Sequence, residues 1–241
     1  MSAPWFVRNA AVYGNLDVFG WQRHNAIVEG QLRTVDLLAR IGPASFAKAF
    51  VVTTFRSFWA QFGWMGVLID QRLYHALALV SALLGLGFVT FIGRAQKGKA
   101  SLSQAQRRSL VILGTCALFV LMQHLWYNTQ FVQHQGRYLF PALGAIALAA
   151  ALGLREALQP RTARLLVRVL LTGTVLLVAY GALSNHVATW GLALLVAGAA
   201  FLACSGWLTT MRQWLAPAVL YASFLTLDLI CLFVYIVPYL R

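Results

Sequence analysis

Six long apolar stretches fill most of the chain after residue 72, and they restrict the fold more than any other feature of the sequence. A helix needs about 20 mainly apolar residues to cross roughly 30 Å of hydrocarbon. The six stretches have about this length. They are residues 73–93, 109–126, 138–154, 165–183, 187–207 and 214–237. The sequence therefore predicts an all-α, polytopic membrane protein with about six transmembrane helices.

The charges of the chain are few and unbalanced. Only 10% of the residues are charged, against about 25% in a typical soluble domain, and the net charge is +13. Such an excess of Lys and Arg first suggests nucleic acid or an anionic membrane surface as partner. The most basic segment, residues 94–108, follows an apolar stretch and contains no aromatic residue. We therefore expect a cytoplasmic charge anchor, membrane lipids as partners, and no nucleic acid.

The distribution of these cations predicts how the helices are oriented. Short cytoplasmic loops collect Lys and Arg, whereas short exported loops do not. Residues 94–108 contain five basic residues and residues 155–168 contain four, while the connection at 127–137 has only Arg137 and the turn at 184–186 has none. Arg212 and Arg241 fall on opposite sides. The prediction is a multi-pass protein of the bacterial cytoplasmic (inner) membrane, with the first 72 residues and the C-terminus outside the cytoplasm.

The chain divides into an extracytoplasmic head, residues 1–72, and a six-helix bundle, residues 73–241. Within the head, an aromatic face with helical spacing is formed by Phe55, Phe58, Trp59 and Phe62. Pro43 suits a first helical position, and Gly63 is expected to end the helix. We interpret residues 44–62 as an amphipathic helix lying on the outer membrane surface, with Trp64 at headgroup depth. The alternative is a seventh transmembrane helix that contains Arg56.

No basic segment followed by a short apolar core opens the sequence, so we find no secretory signal. An exported head without a signal usually follows an earlier transmembrane helix. We therefore expect the chain to be the C-terminal part of a larger protein, or to work with a separate chain that supplies the missing helices.

The most informative outer segment is the connection before the third stretch, where Arg137 and Tyr138 begin a helix that has Pro141 in its first turn. An Arg beside free backbone N–H groups at a helix N-terminus can bind an anion, and a guanidinium can hold a lipid phosphate through two hydrogen bonds. The alternative is that Arg137 and its aromatic neighbours only mark the membrane boundary. Further along, Ala145, Ala149 and Gly153 form a stripe of small residues that allows close approach of another helix.

The cysteines and histidines suggest no metal site and no cofactor. The three cysteines lie within apolar stretches and show no C-x-x-C spacing. The five histidines, at positions 24, 75, 124, 134 and 186, show no metal-ligand spacing. The favoured interpretation is that these histidines lie at the membrane boundary and form hydrogen bonds with neighbouring groups. Two alternatives stay open. His124 and His134 could face each other, and a single histidine near a helix end could bind a metal or a pigment.

Three segments, in this order, resemble the DUF2142 family of bacterial polytopic membrane proteins. The first is Pro-Trp-Phe-Val-Arg-Asn at residues 4–9 with Tyr-Gly-Asn at 13–15, and the second is residues 55–65. The third is Gln-Gly-Arg-Tyr-Leu-Phe-Pro-Ala-Leu at residues 135–143. That family is similar to the GT-C glycosyltransferases. The resemblance implies an enzyme that transfers sugar from a polyprenyl-phosphate carrier outside the cytoplasm.

The resemblance also implies which residues bind substrate and which part is missing. Arg137 and Arg56 would hold the carrier phosphate, while Trp59, Trp64, Trp126 and Tyr138 would shape a lipid or sugar groove. The catalytic acid of such enzymes usually lies in the first external loop, upstream of this chain. No catalytic residue can be assigned here, because the outer acids Asp17, Glu29, Asp36 and Asp70 match no paired-carboxylate pattern.

Asp228 is the exception among the acids, because it lies in the middle of the sixth apolar stretch. An ionisable residue there could relay protons, pair with a basic group or contact another subunit, or it could be a protonated Asp bonded to a neighbouring helix. Three functions follow for the chain. It is a glycosyltransferase part, a non-catalytic scaffold subunit bound to other membrane chains, or, least favoured, a transporter.

Overall fold

The computed structural model of the chain describes residues 3–14, 17–28, 30–99, 102–185, 187–207 and 214–240. Most of the described residues are helical. The helices are α1 (Ala3–Tyr13), α2 (Trp21–Ile27), α3 (Thr34–Ile41), α4 (Pro43–Trp59), α5 (Gln71–Gln96), α6 (Gln104–Tyr127), α7 (Leu143–Ala157), α8 (Pro160–Ser184), α9 (Thr189–Trp207) and α10 (Ala216–Ile230). A two-stranded antiparallel hairpin, β1 (Gln61–Phe62) and β2 (Val67–Leu68), joins α4 to α5.

Among the described residues, five helical segments are long and apolar enough to cross a membrane, and all five coincide with predicted stretches. They are Gln71–Gln96, Gln104–Tyr127, Gly136–Ala157, Pro160–Ser184 and Ala216–Tyr239. The remaining predicted stretch forms α9, whose apolar part, Thr189–Ser205, is shorter. An all-α, multi-pass membrane protein is therefore the fold of this chain.

Two of these segments change helix type along their length. A 3-10 helix of seven residues, Gly136–Ala142, leads into α7, which has fifteen. A 3-10 helix rises about 2.0 Å per residue and an α-helix about 1.5 Å, so the combined segment reaches about 36 Å, enough to cross the hydrocarbon that α7 alone could not. After α10, the chain continues as a π-helix, Cys231–Ile236, and a 3-10 helix, Val237–Leu240.

The closest helix packing joins α5 to α7, at the stripe of small residues predicted from the sequence. A Cβ on Gly153 would overlap the backbone carbonyl of Leu84, and a Cβ on Gly87 would overlap the carbonyl of Gly153. The prediction of close approach is confirmed at Gly153. Because Leu84 meets Gly153 and Gly87 meets Ala157, the two helices run parallel and begin at the same end of the bundle.

By internal contacts the chain forms two compact units. The first contains Met1–Ala49 and Leu125–Gln133, and the second contains Phe50–His124 and His134–Arg241. The predicted boundary after residue 72 separates parts by their position in a membrane, and it stays a prediction.

The first unit is built around the segment Leu125–Gln133. Phe131 is almost fully buried, pairs with Arg33 in an isolated antiparallel bridge, and carries the Arg33 guanidinium 4.3 Å from its ring centroid. The hydroxyl of Thr34 donates to the carbonyl of Asn128 at 2.8 Å. The aromatic rings of Trp21 and Trp126 also meet here, 4.2 Å apart.

The helix predicted over residues 44–62 begins and ends earlier than expected. It starts at Pro43 and stops at Trp59, so the prediction was wrong for residues 60–62, of which Gln61 and Phe62 lie in β1. The reason lies in the turn that follows, because Gly63, Trp64 and Met65 all have positive φ and cannot continue a right-handed helix. The hydroxyl of Tyr74 in α5 donates to the carbonyl of Ala60 and holds the chain at this exit.

Candidate functional site

Of the predicted binding residues, Trp126 belongs to the first unit. The others lie in the second unit, at the end of the bundle where α5 and the segment Gly136–Ala157 begin. Here α4 packs against the first residues of the 3-10 helix. The backbone N–H of Gly136 donates to Oγ of Ser57 at 2.7 Å, and the hydroxyl of Thr54 donates to the carbonyl of His134 at 3.3 Å. A Cβ on Gly136 would overlap backbone atoms of Thr54 and Phe58, so only glycine allows this contact. Two of the three segments that carry the family resemblance are therefore joined at Gly136.

Arg137 lies beside this contact and is surrounded by aromatic rings. Its guanidinium carbon is 5.4 Å from the ring centroid of Trp64 and 5.8 Å from that of Tyr138. No carboxylate lies within ion-pair distance of Arg137 among the described residues. The guanidinium is therefore held by rings that leave its charge uncompensated, which favours an anionic ligand.

The backbone N–H groups expected to help Arg137 are mostly occupied. Gly136 donates to Ser57, and the N–H of Tyr138 donates to the carbonyl of Gln135 at 3.2 Å. The expectation of several free donors at this helix start was therefore wrong. We call this place, where Gly136 and Arg137 meet Ser57 and Trp64, the Gly136 corner. An anion at the Gly136 corner would depend mainly on the guanidinium of Arg137.

Trp64 is at the tip of the hairpin and is 88% exposed. Trp64 and Met65 have φ values of 53° and 73°, a strained region for residues other than glycine. The turn is held by the side-chain amide of Gln61, which donates to the carbonyl of Met65 at 2.8 Å. A strained, exposed tryptophan stacked with an arginine is typical of a ligand-binding or membrane-boundary position.

Arg56 is on α4 and is held by uncharged groups of α5. Its guanidinium donates to Oε1 of Gln71 at 2.5 Å and lies 5.3 Å from the ring centroid of Tyr74. Like Arg137, it has no carboxylate partner among the described residues. The same end of the bundle therefore carries two guanidinium groups for which the described part of the chain offers no carboxylate.

A large apolar cavity begins beside these residues. Its volume is about 1210 Å³, and it lies among α4, α5, α7 and α10. Phe55, Phe58 and Trp59 line one end, and Arg155 and Gln159 line the other. Trp59 also stacks on Phe224 of α10, with ring centroids 5.6 Å apart. The cavity therefore follows the bundle from the end that carries Arg56 and Arg137 to the opposite end, which is the shape that a long apolar chain requires.

Tyr138 connects the corner to a pair of buried histidines. Its ring centroid is 6.3 Å from that of His124, and the rings of His124 and His134 each lie within 5.4 Å of Phe50. The two histidines thus contact the same ring, that of Phe50. Burial lowers the pKa of His134, and the neighbouring His124 lowers it further.

Of the described acids that were predicted to lie outside the cytoplasm, two accept backbone N–H groups in the first turn of a helix. The carboxylate of Asp70 accepts from the backbone N–H of Arg72 at 2.7 Å and caps α5. Asp17 accepts from the N–H of Arg23 at 3.0 Å in the first turn of α2. Burial raises the pKa of Asp17, but the N–H groups of this turn outweigh that effect and lower it. Asp36 is exposed in the first turn of α3.

Asp228 lies at the middle of the segment Ala216–Tyr239, one turn before the π-helix. Its side chain is exposed on the surface of the chain, and no hydrogen bond or ion pair is found for it among the described residues. The described residues therefore show no hydrogen bond from Asp228 to a neighbouring helix of the same chain, which was one of the roles considered for this acid.

One ionic contact escaped the sequence analysis. Glu156 in α7 is buried, and both of its carboxylate oxygens accept from Nη1 of Arg94 in α5, at 2.9 and 3.0 Å. The hydroxyl of Thr162 in α8 donates to the same carboxylate at 3.0 Å. Glu156 could have been noticed as the single acid among the cations of the predicted cytoplasmic connections.

Five residues named from the sequence lie outside the described residues, namely Asn15, Glu29, His186, Arg212 and Arg241. Within the described part of the chain, no group of three His, Cys, Asp or Glu side chains is arranged to hold a metal ion. In comparisons with family models, with curated proteins and with solved structures, nothing matches this chain, so its resemblance to DUF2142 stays a prediction.

Proposed function

We propose that this chain binds a polyprenyl-phosphate-linked sugar at the extracytoplasmic face of a bacterial inner membrane, as part of a GT-C-like glycosyltransferase. The observation that carries the proposal is the apolar cavity of about 1210 Å³ that begins at Trp59, at the bundle end that also carries Arg56 and Arg137. A polyprenyl phosphate has one long apolar tail and one anionic head. A cavity lined by apolar side chains and a neighbouring guanidinium match these two parts.

Arg137 is the proposed phosphate ligand. A guanidinium without a carboxylate partner keeps its donors for a ligand, and the rings of Trp64 and Tyr138 limit the positions that it can take. Arg56 is a second candidate, although one of its donors is already used by Gln71. Trp64, exposed at the hairpin tip, offers an aromatic surface on which a sugar ring could stack.

In this proposal the chain binds the carrier. None of its described carboxylates acts as the general base. Asp17 and Asp70 accept hydrogen bonds from backbone N–H groups at helix starts. This structural role explains both residues without a part in catalysis. Arg137, Tyr138, Arg56, Trp59 and Trp64 are therefore proposed as binding residues only.

Replacing Arg137 tests the proposal directly. The purified protein in detergent is titrated with a short-chain polyprenyl phosphate, and binding is followed by tryptophan fluorescence. Arg137→Ala should weaken binding by tenfold or more, since a hydrogen bond to a charged group contributes about 1.5 to 3 kcal/mol. Arg137→Lys should recover part of the loss, because it restores the charge without the two-pronged geometry.

Arg40→Ala is the matched control, since Arg40 is an exposed cation of the predicted head. It removes the same charge without touching the corner, and it should leave binding unchanged. Equal binding by the wild type and Arg137→Ala would remove Arg137 from the proposed site.

A second function, a scaffold in a larger membrane assembly, is favoured by Asp228. A carboxyl group exposed at the middle of a transmembrane segment is costly in lipid, and contact with another chain would remove that cost. If this function is correct, the wild type should migrate in mild detergent as an assembly larger than its 26.6 kDa chain, and Asp228→Leu should shift it towards the monomer. A monomeric wild type would contradict a role for Asp228 in self-assembly.

A further inference from the structure

A second cavity lies at the opposite end of the bundle, between the end of α5 and the start of α8. It has a volume of about 620 Å³. Among the described residues, six cationic side chains line it and no acidic side chain does. They are Arg94, Lys97, Lys99, Arg161, Arg164 and Arg168. The predicted orientation of the chain accounts for cations at this end, but not for their arrangement around one concave space.

The backbone holds the two lysines that follow α5, Lys97 and Lys99, in defined positions. Gly98 has a φ of 67°, its N–H donates to the carbonyl of Ala95, and the N–H of Lys99 donates to the carbonyl of Arg94 at 2.9 Å. These two hydrogen bonds form a Schellman motif, which ends α5 and turns the chain back over its last turn. Lys97 and Lys99 therefore flank a structured turn at the rim of the cavity.

The opposite wall is the first turn of α8, which begins with Pro160 after the N-cap Gln159. The start of a helix carries a partial positive charge from its unpaired N–H groups. The carbonyl of Pro160 accepts from Nε of Arg164 at 3.1 Å, which holds that guanidinium close to the helix start. The helix dipole and the side chains thus favour the same kind of ligand.

The single acid nearby does not neutralise this cluster. Both oxygens of Glu156 accept from Arg94, and the hydroxyl of Thr162 completes the contact. Five of the six lining cations remain without a carboxylate among the described residues. Like charges gathered around one cavity repel each other, and a bound anion would remove that repulsion.

The wall of the cavity also continues into an apolar surface. Leu165 lines the cavity and is half exposed, and Val169, four residues further along α8, is exposed to the same degree. Residues four apart lie on the same face of a helix. An anionic group in the cavity would therefore have apolar surface beside it on the side of the hydrocarbon.

We propose that this cavity binds the phosphate-bearing headgroup of an anionic phospholipid from the leaflet at this end of the bundle, with an acyl chain lying along Leu165 and Val169. Basic pockets between transmembrane helices are a recognised way to hold such headgroups. The site lies at the end of the bundle opposite Arg137, and it does not depend on the carrier-binding proposal.

The test compares two pairs of substitutions that remove the same charge from the same end. Lys97→Gln with Arg168→Gln takes one cation from each wall of the cavity. Arg107→Gln with Arg108→Gln takes two exposed cations from α6 that do not line it. Neither pair disturbs the contact between Arg94 and Glu156. Both variants and the wild type are purified in neutral detergent, and lipid binding is measured by native mass spectrometry.

The probes are dioleoyl phosphatidylglycerol, dioleoyl phosphatidylcholine and, as water-soluble phosphates, glycerol 3-phosphate and pyrophosphate. We expect the wild type to bind phosphatidylglycerol in preference to phosphatidylcholine. The cavity pair should weaken that binding about thirtyfold and the α6 pair less than threefold.

Equal losses in both pairs would show that general surface charge holds the lipid, and they would overturn the site. Tight binding of glycerol 3-phosphate or pyrophosphate that is lost only in the cavity pair, without preference between the two lipids, would keep the phosphate site and overturn its lipid source. Folding of both pairs is checked by their thermal unfolding, and an unfolded cavity pair is replaced by the single substitution Arg168→Gln.

Discussion

His134 is buried in a connection between two transmembrane segments, where its ring lies 5.2 Å from that of Phe50 and its carbonyl accepts the hydroxyl of Thr54. A histidine in such surroundings is favoured in its neutral form. Burial and the nearby His124 both lower the pKa of His134 below 6.5. This residue therefore couples the stability of the Gly136 corner to pH.

The sign of that coupling follows from proton binding. Between the lowered pKa and 6.5, the unfolded chain binds a proton at His134 and the folded chain does not. The neutral His134 should therefore cost the folded chain nothing above pH 6.5. As the pH falls below 6.5, the free energy of unfolding should decrease by about 1.4 kcal/mol for each pH unit between 6.5 and the lowered pKa of His134. Thermal unfolding in detergent at pH 7.5 and at pH 5.0 measures the difference.

His134→Gln should reduce this loss of stability at low pH, whereas His75→Gln should not, because His75 is exposed at the start of α5. If the wild type and His134→Gln lose the same stability between these two pH values, His134 is not the group responsible.

At the scale of single residues, the sequence indicated which side chains matter better than it indicated their contacts. The importance of Arg137 was predicted from its position before an apolar segment, and its uncompensated charge fits that prediction. Glu156 was missed because its partner Arg94 is 62 residues away, and charge pairing over that distance has no local signal. The positive φ of Trp64 was also out of reach, since nothing in its residue type predicts a left-handed backbone.

At the scale of helices, apolar length was the reliable signal and helix ends were not. The stretches at 73–93 and 138–154 became α5 and the segment Gly136–Ala157, each extended beyond its predicted bounds by polar residues. Hydropathy cannot place those extra turns, because they lie at the boundary where side chains become polar. The hairpin between α4 and α5 was missed for another reason, since two-residue strands are too short to show alternation.

The packing of α5 on α7 gives a prediction at the same scale. Gly153→Ala should destabilise the bundle by about 1 to 3 kcal/mol, because its Cβ would overlap the carbonyl of Leu84 and neither backbone can yield without moving a helix. Unfolding of the purified protein by increasing mole fractions of sodium dodecyl sulfate measures the change.

Gly144→Ala is the matched control on the same helix, because a Cβ there meets no atom within 4 Å. It should be neutral or slightly stabilising, since alanine favours a helix over glycine by up to about 1 kcal/mol. A loss of stability in Gly144→Ala as large as that in Gly153→Ala would mean that the contact of Gly153 with α5 does not determine the effect.

At the scale of the molecule, the second unit has two chemically different ends. One end carries Arg56, Arg137 and the exposed Trp64, while the other carries the six cations around the smaller cavity. The apolar cavity between α5, α7 and α10 extends from Trp59 towards Arg155 and so reaches both. The proposals made above assign phosphate binding to each end, but from opposite leaflets, and both depend on which end faces the cytoplasm.

Cysteine labelling tests that orientation on the whole chain. Cys116, Cys204 and Cys231 are replaced by Ser, and single cysteines are introduced at Lys99 and at Gln130, both exposed in connections. If the basic connections are cytoplasmic, a membrane-impermeant maleimide added to intact cells should label Gln130→Cys. It should reach Lys99→Cys only after the membrane is permeabilised. The opposite pattern would place Arg137 inside the cell, where an outer-face carrier cannot reach it. Labelling of both sites in intact cells would show that the chain does not keep one orientation. The unequal distribution of Lys and Arg between the connections would then have a cause other than the orientation of the chain in the membrane.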